Sequence, residues 1–185
     1  MGHPLNRPDS ETRQQSTTDP GEMLDQYQAS IYKYLRYRGL DVDEANDLTS
    51  AVFERAVRKL ASYDPARGAP NTWLFAIARN ILKSHWQAAG LHRTLPLEAV
   101  EEQRTSDPPP EEVVVRRETR QELIEALGTL DDRERDLIAL KFSALVTNRE
   151  IASLTGMTES NVGVILFRAL RKLRAVLSAS TGGAR

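Results

Sequence analysis

The chain has 185 residues, enough for one large or two small domains, with 40% hydrophobic but only 6% aromatic residues and a formal charge of −1. It contains no cysteine, which excludes a disulfide framework and a thiolate metal site. No apolar run approaches the ~18 residues of a membrane span, and the N-terminus lacks a signal-peptide core, so a soluble, cytoplasmic protein with no membrane partner is expected. Near-zero net charge argues against strong free-standing DNA binding, although where the charges lie matters more than their sum.

Residues 1–20 are polar, carry Pro4, Pro8 and Pro20, and show no periodic apolar face, so they are expected to be disordered. From 21 onward Met23, Leu24, Tyr27, Ile31, Tyr34 and Leu35 recur at three- and four-residue steps, which predicts an amphipathic helix ended by Gly39. Asp41 or Asp43 opens a second helix, with Ala45, Leu48, Val52, Phe53, Ala56, Val57 and Leu60 as its inner face. Asp64–Gly68 reads as a turn. A third helix begins near Pro70–Thr72, carries Trp73, Leu74, Ile77, Ala78, Ile81 and Leu82, and runs to about Ala88 before Gly90 breaks it. Residues 21–93 thus form a first small helical domain.

Residues 94–117 hold the run Pro108-Pro109-Pro110 and six acidic side chains from Glu98 to Glu112. Successive prolines cannot sit inside a helix, so this stretch is an extended, acidic linker. Helical pattern returns at 118–178. Leu123, Ile124, Ala126 and Leu127 precede an Asp131-x-x-Glu134 cap, and Leu137, Ile138 and Phe142 give the next helix its inner face. A Thr147-x-x-Glu150 capping box then opens a short helix with Ile151, Ala152 and Leu154, closed by Gly156. Thr158 caps a last helix in which Val162, Ile165, Leu166, Ala169, Leu170 and Leu173 recur. Helix, short glycine turn, helix is the outline of a helix-turn-helix, whose second helix can lie in a DNA major groove; the alternative is an ordinary helical hairpin. Residues 179–185 read as a flexible tail. The expected architecture is all-α: two small helical domains joined by an extended acidic linker, the second containing the helix-turn-helix.

Between Arg55 and Arg93 seven basic residues are opposed only by Asp64, and Tyr63, Trp73, Phe75 and Trp86 are interleaved with them. Basic side chains neutralise phosphates and aromatic faces stack on unpaired bases, although such residues are also ordinary surface and core. Trp73 and Phe75, two apart on a helix, cannot both point inward. The last helix carries Arg168, Arg171, Lys172 and Arg174 with no acid after Glu159. His3, His85 and His92 have neither metal-ligand nor triad spacing and there is no phosphate loop, so no catalytic residue, metal, cofactor or small-molecule substrate is expected.

Three motifs stand in order: DLTSAVFERAVRKL (47–60), TWLFAIARNILKSHW (72–86), and LDDRERDLIALKF with NREIASLTGMTESNVGVILFRALRKLR (130–142 and 148–174). Together they resemble a bacterial RNA polymerase sigma factor of the extracytoplasmic-function type, over roughly 21–177. The resemblance implies a factor that binds core RNA polymerase, guides it to promoter DNA and helps to melt the duplex. It implies polymerase docking by Asp43, Glu44, Asp47, Leu48, Phe53 and Glu54. It implies minus-ten recognition by Tyr63, Arg67, Asn71, Trp73, Arg79, Asn80 and Lys83, with Asn80 reading a flipped base. Minus-thirty-five recognition falls to Arg149, Ser160, Asn161, Val164, Phe167, Arg168, Arg171 and Lys172, the first and last two of these as phosphate contacts. The linker would thread the polymerase cleft, imitating a nucleic-acid strand; read from composition alone it is a tether. An anti-sigma factor is a common further partner in the family.

Two departures from the family pattern stand out. Val162-Gly163-Val164-Ile165 replaces a basic start to the recognition helix, and Asn46 and Ala51 stand where acids are frequent. Thr49 and Ser50 lie within a turn of those missing acids and are candidate phosphorylation sites. Two readings compete with the sigma factor: a dimeric helix-turn-helix repressor or activator, and a sigma-like protein-interaction decoy that does not touch DNA.

Overall fold

The computed structural model describes residues 20–90 and 122–182, and every regular element among them is helical. Helix α1 (Pro20–Tyr37), α2 (Val42–Lys59) and α3 (Pro70–Ala88) form the first half, with short 3-10 turns at Leu60–Ser62 and Pro65–Arg67. The second half holds α4 (122–128), α5 (Asp132–Ser143), α6 (Asn148–Thr155) and α7 (Glu159–Gly182). The expected N-terminal tail (Pro20 apart) and acidic linker lie outside the described residues. Helix α7 runs four residues into the stretch expected to be a flexible tail.

Local chemistry sets the helix ends. Asp41, Asp131 and Thr147 each cap a helix with a reciprocal glutamate three residues on, so two orphan backbone donors are satisfied at each start. Gly156 takes φ +71 and closes α6, the left-handed turn that a side chain with a Cβ resists. The buried Arg135 guanidinium does the same service for α4, donating to the carbonyls of Leu127 at 2.9 Å, Gly128 at 3.1 Å and Leu130 at 3.1 Å. Burial first, and Arg38 beside it, push Arg135 down to about 10, so it remains charged at neutral pH.

The core is continuous across the halves. Ile31, Tyr34 and Leu35 of α1 meet Val52 and Ala56 of α2 and Leu74, Phe75 and Ala78 of α3. Tyr34 and Phe75 pack edge to face at 5.5 Å, which places Phe75 inside and leaves Trp73 half-buried. Helix α5 is covered on most sides: Leu137, Ile138, Ala139 and Leu140 are buried, and so are Glu134, Arg135 and Ser143. One residue of α2 and one of α5 expected inside are not. Val57 is 58% exposed and Phe142 48% exposed, because the neighbouring helices cover only part of the apolar arc that periodicity outlines.

Glu150 supplies a pH-dependent contribution. Its carboxylate accepts the Thr147 amide at 2.7 Å and hydroxyl at 2.8 Å, and these bonds hold it below its ordinary value of 4.5. A depressed carboxyl stabilises the fold fully above its unfolded value, and that contribution is lost as pH falls through the lower folded one. Glu150→Gln should therefore be less stable than the parent at neutral pH. The gap should close as pH drops from about 6 to about 3, measured by urea unfolding.

Candidate polymerase and nucleic-acid interfaces

Helix α2 presents a stripe of Asp43, Asp47, Ser50, Glu54 and Val57, spaced to share one solvent face. Three of the six expected polymerase contacts, Asp43, Asp47 and Glu54, are on it. Leu48 is corrected to a core residue at 9% exposure, and Phe53 is partly buried against the same core. Glu44 is half-buried: it closes the α2 capping box and meets His85 at 3.3 Å. Thr49 is also corrected as a modification site, since it is 4% exposed with its hydroxyl donating to the Ala45 carbonyl at 2.6 Å. Ser50 faces solvent. Periodicity assigns Val57 to the core, yet it stands exposed on this stripe a turn from Glu54, and an exposed apolar side chain next to charge suits a mixed docking surface.

The stretch Tyr63–Lys83 builds two faces. On the outward one, the Tyr63 ring lies 5.2 Å from Trp73 with a tilt of 47°. The Tyr63 hydroxyl donates to Gly68 O at 3.1 Å, tying down the loop that carries exposed Arg67. Burial first, then Tyr27 and Asp64, push the Tyr63 phenol up, so it stays a proton donor. Asn80, two turns beyond Trp73, and Lys83 are exposed on the same side of α3. The other face turns toward the second half. There Asn71 donates to Ala144 O at 3.4 Å, Thr72 to Glu150 at 3.2 Å, and Arg79 to Asp136 at 2.9 Å and to Leu154 O. The structure therefore separates Asn71 and Arg79 from the other five expected minus-ten residues.

In the helix-turn-helix, Ile151 and Ala152 pack against Val162, Leu166 and Ala169. This leaves Ser160, Asn161, Val164, Phe167, Arg168 and Arg171 on one exposed face of α7, with Arg149 exposed on α6. Phe167 is 63% exposed with the Arg171 guanidinium 6.0 Å over its ring. Lys172 is set apart from the other basic residues, because its ammonium is held 2.7 Å from Glu134. Beside this face, Leu123, Leu127, Ile138, Phe142, Leu170 and Leu173 line an apolar trough of about 950 Å³, with Lys33 and Arg174 among its walls. Leu170, expected inside, is 44% exposed on it.

Comparison with known proteins follows this division. The profile of Sigma-70 region 2 matches residues 23–91, and that of Sigma-70 region 4 matches 126–175. The ECF RNA polymerase sigma factor BldN of Streptomyces coelicolor is 26% identical over 161 residues, covering 85% of this chain and 60% of BldN. The match thus spans less than two thirds of BldN's own length. SigM of Bacillus subtilis, an ECF sigma factor, is 26% identical over 159 residues, covering 84% of this chain and 93% of SigM. The chain belongs to the ECF sigma factors of the sigma-70 family. Solved structures share the fold. CnrH, in complex with the cytosolic domain of CnrY, superposes with a TM-score of 0.64 at 22% identity, covering 86% of this chain and 87% of CnrH. RpoE of Bartonella quintana, in complex with the anti-sigma factor NepR, gives 0.62 at 18% identity, covering 84% of this chain and 92% of RpoE.

Gly163 in this sigma factor's α7 is open to substitution. A Cβ built on Gly163 meets only the Asn148 side-chain amide, at an ordinary 3.8 Å. Gly163→Ala should therefore raise stability by about 1 kcal/mol, read as an upward shift of the thermal midpoint, because alanine restricts the unfolded chain and favours the helix.

Proposed function

We propose that this sigma factor binds core RNA polymerase through the α2 stripe and directs it to promoters. In this reading the outward face of α3 engages the minus-ten element and α7 the minus-thirty-five element. The observation that carries it is the tilted Tyr63–Trp73 ring pair set two turns from exposed Asn80 and Lys83, on the same chain as a helix-turn-helix with an exposed, acid-free face on its second helix. Aromatic faces accept unstacked bases, and an amide reads a base edge through paired donor and acceptor groups. Because Gly163 and Val164 occupy the start of the reading helix, recognition upstream relies on Asn161, Arg168 and groove shape, with Arg149 and Arg171 on phosphates. Of the two hydroxyls near the missing acids, Ser50 is the one a kinase reaches, and a phosphate there would add to the acidic docking charge.

In vitro transcription with core polymerase tests the reading. The wild type should give promoter-specific starts. Asn80→Ala should slow open-complex formation by about 5- to 150-fold, as expected for a lost base contact of ~1–3 kcal/mol. Arg168→Ala should weaken upstream engagement instead. A chain that binds core polymerase but yields no specific start is a decoy. One that ignores polymerase and binds an operator duplex as a dimer is a repressor.

We also propose an anti-sigma partner acting in the cytoplasm. Two solved proteins of this fold are in complex with partner proteins, CnrH with the cytosolic domain of CnrY and the sigma factor RpoE with the anti-sigma factor NepR. Here the trough draws its wall from α1 of one half and α4, α5 and α7 of the other, with cationic Lys33 and Arg174 suited to an acidic, amphipathic helix. Leu170→Glu should raise reporter transcription in the host while leaving in vitro transcription with purified core polymerase unchanged. Equal reporter activity of the two proteins in the host would remove the trough as the docking site.

A further inference from the structure

One carboxylate joins the two halves. Asp136, 14% exposed on α5, accepts the Tyr34 hydroxyl at 2.8 Å and the Arg79 Nε and NH2 groups at 3.2 and 2.9 Å, while Arg38 Nε lies 3.4 Å away. Every one of these donors belongs to the first half. Arg38 extends the junction to Asp132, at 3.0 Å to its carboxylate and 2.9 Å to its carbonyl, and stacks on Trp86 at 4.8 Å. Arg79 adds a bond to the Leu154 carbonyl.

We propose that this junction is a latch that keeps the free chain closed and withholds Arg79 from nucleic acid, with Asp136 standing where a phosphate would otherwise bind. The proposal rests on the reading of α3 as a nucleic-acid surface. Carboxylate and phosphate present the same kind of acceptor to a guanidinium, and a guanidinium already satisfied by one is not available to the other. A polyanion therefore competes with Asp136 for Arg79, and opening the chain and binding nucleic acid become one coupled equilibrium. The donors that hold Asp136 come from α1, the residue just after it and α3, so releasing this one carboxylate removes polar ties of both helices to α5 and leaves the Arg38–Asp132 pair and the shared apolar core to be overcome.

The test is Asp136→Asn in the full chain, which keeps the side chain's shape and removes its charge. Small-angle X-ray scattering should show a larger radius of gyration than the wild type. Affinity for an oligo-dT single strand should rise by roughly fivefold or more. Saturating the wild type with oligo-dT should enlarge it in the same way. Far-UV circular dichroism checks that helix content is kept. Tyr34→Phe, which deletes one hydroxyl from the same carboxylate, should move both readouts in the same direction by less, and serves if the asparagine variant does not fold. Unchanged scattering and unchanged affinity would overturn the latch. An expanded chain with no gain in affinity would overturn the withholding of Arg79. Promoter-specific run-off transcription by the wild type with core polymerase reports on the sigma-factor reading separately, since scattering decides the closure without DNA.

Discussion

The fold depends on how the Asp136 carboxylate is accommodated. Taking a charge out of water costs several kcal/mol unless its partners are close and its lone pairs are filled. Here the Tyr34 hydroxyl and the Arg79 guanidinium donate to it from two helices of the other half, and the Arg38 guanidinium balances its charge from 3.4 Å. The Tyr34 phenol is held as a donor because burial, and then the adjacent carboxylate, push it well above its ordinary value. That polar cluster sits against the apolar faces of α1 and α5, so two helical units share one core. Such a junction is specific in geometry: three donors from fixed helix positions meet one acceptor.

The surfaces left over by this packing are the candidate functional ones. The chain is close to neutral, yet its described faces are not: α2 shows three acids in a stripe that ends at Val57, α3 and the loop before it an aromatic pair with an amide and a lysine, and α7 arginines around Phe167. Each combines charge with an apolar or aromatic side chain that is exposed or half-buried, which is the composition of surfaces that meet large partners rather than small substrates. The trough beside α7 is of another kind, mostly aliphatic and aromatic with two cationic side chains in its walls. The separation of these faces on different helices allows one chain to engage a protein surface and nucleic acid together.

Helix ends were legible in the sequence because they are local. Asp41, Asp131 and Thr147 each find their glutamate three residues away, and Gly156 makes its turn with neighbouring backbone, so no distant residue has to be known. The exposed reading face of α7 followed from the same periodicity that placed Val162, Leu166 and Ala169 inside. Errors arose where an apolar arc is wider than what covers it. Val57, Phe142 and Leu170 have the right spacing for burial but no helix over them, while Thr49 is covered despite its hydroxyl, which bonds to its own helix.

By itself the sequence determined the order and type of the elements, their caps, the helix-turn-helix and the family, since all of these reside in residues a few positions apart or in motifs read along the chain. Only the tertiary structure decided that Arg79 and Asn71 face the second half rather than the solvent beside Trp73 and Asn80, and that Lys172 is tied to Glu134. Neighbouring positions on α3 point to different sides, and which side meets protein depends on a partner helix far along the chain: Arg79 and Asp136 are 57 residues apart, Tyr34 and Asp136 102. Periodicity records that a helix has faces; the identity of what lies against each face is a property of the packed chain alone.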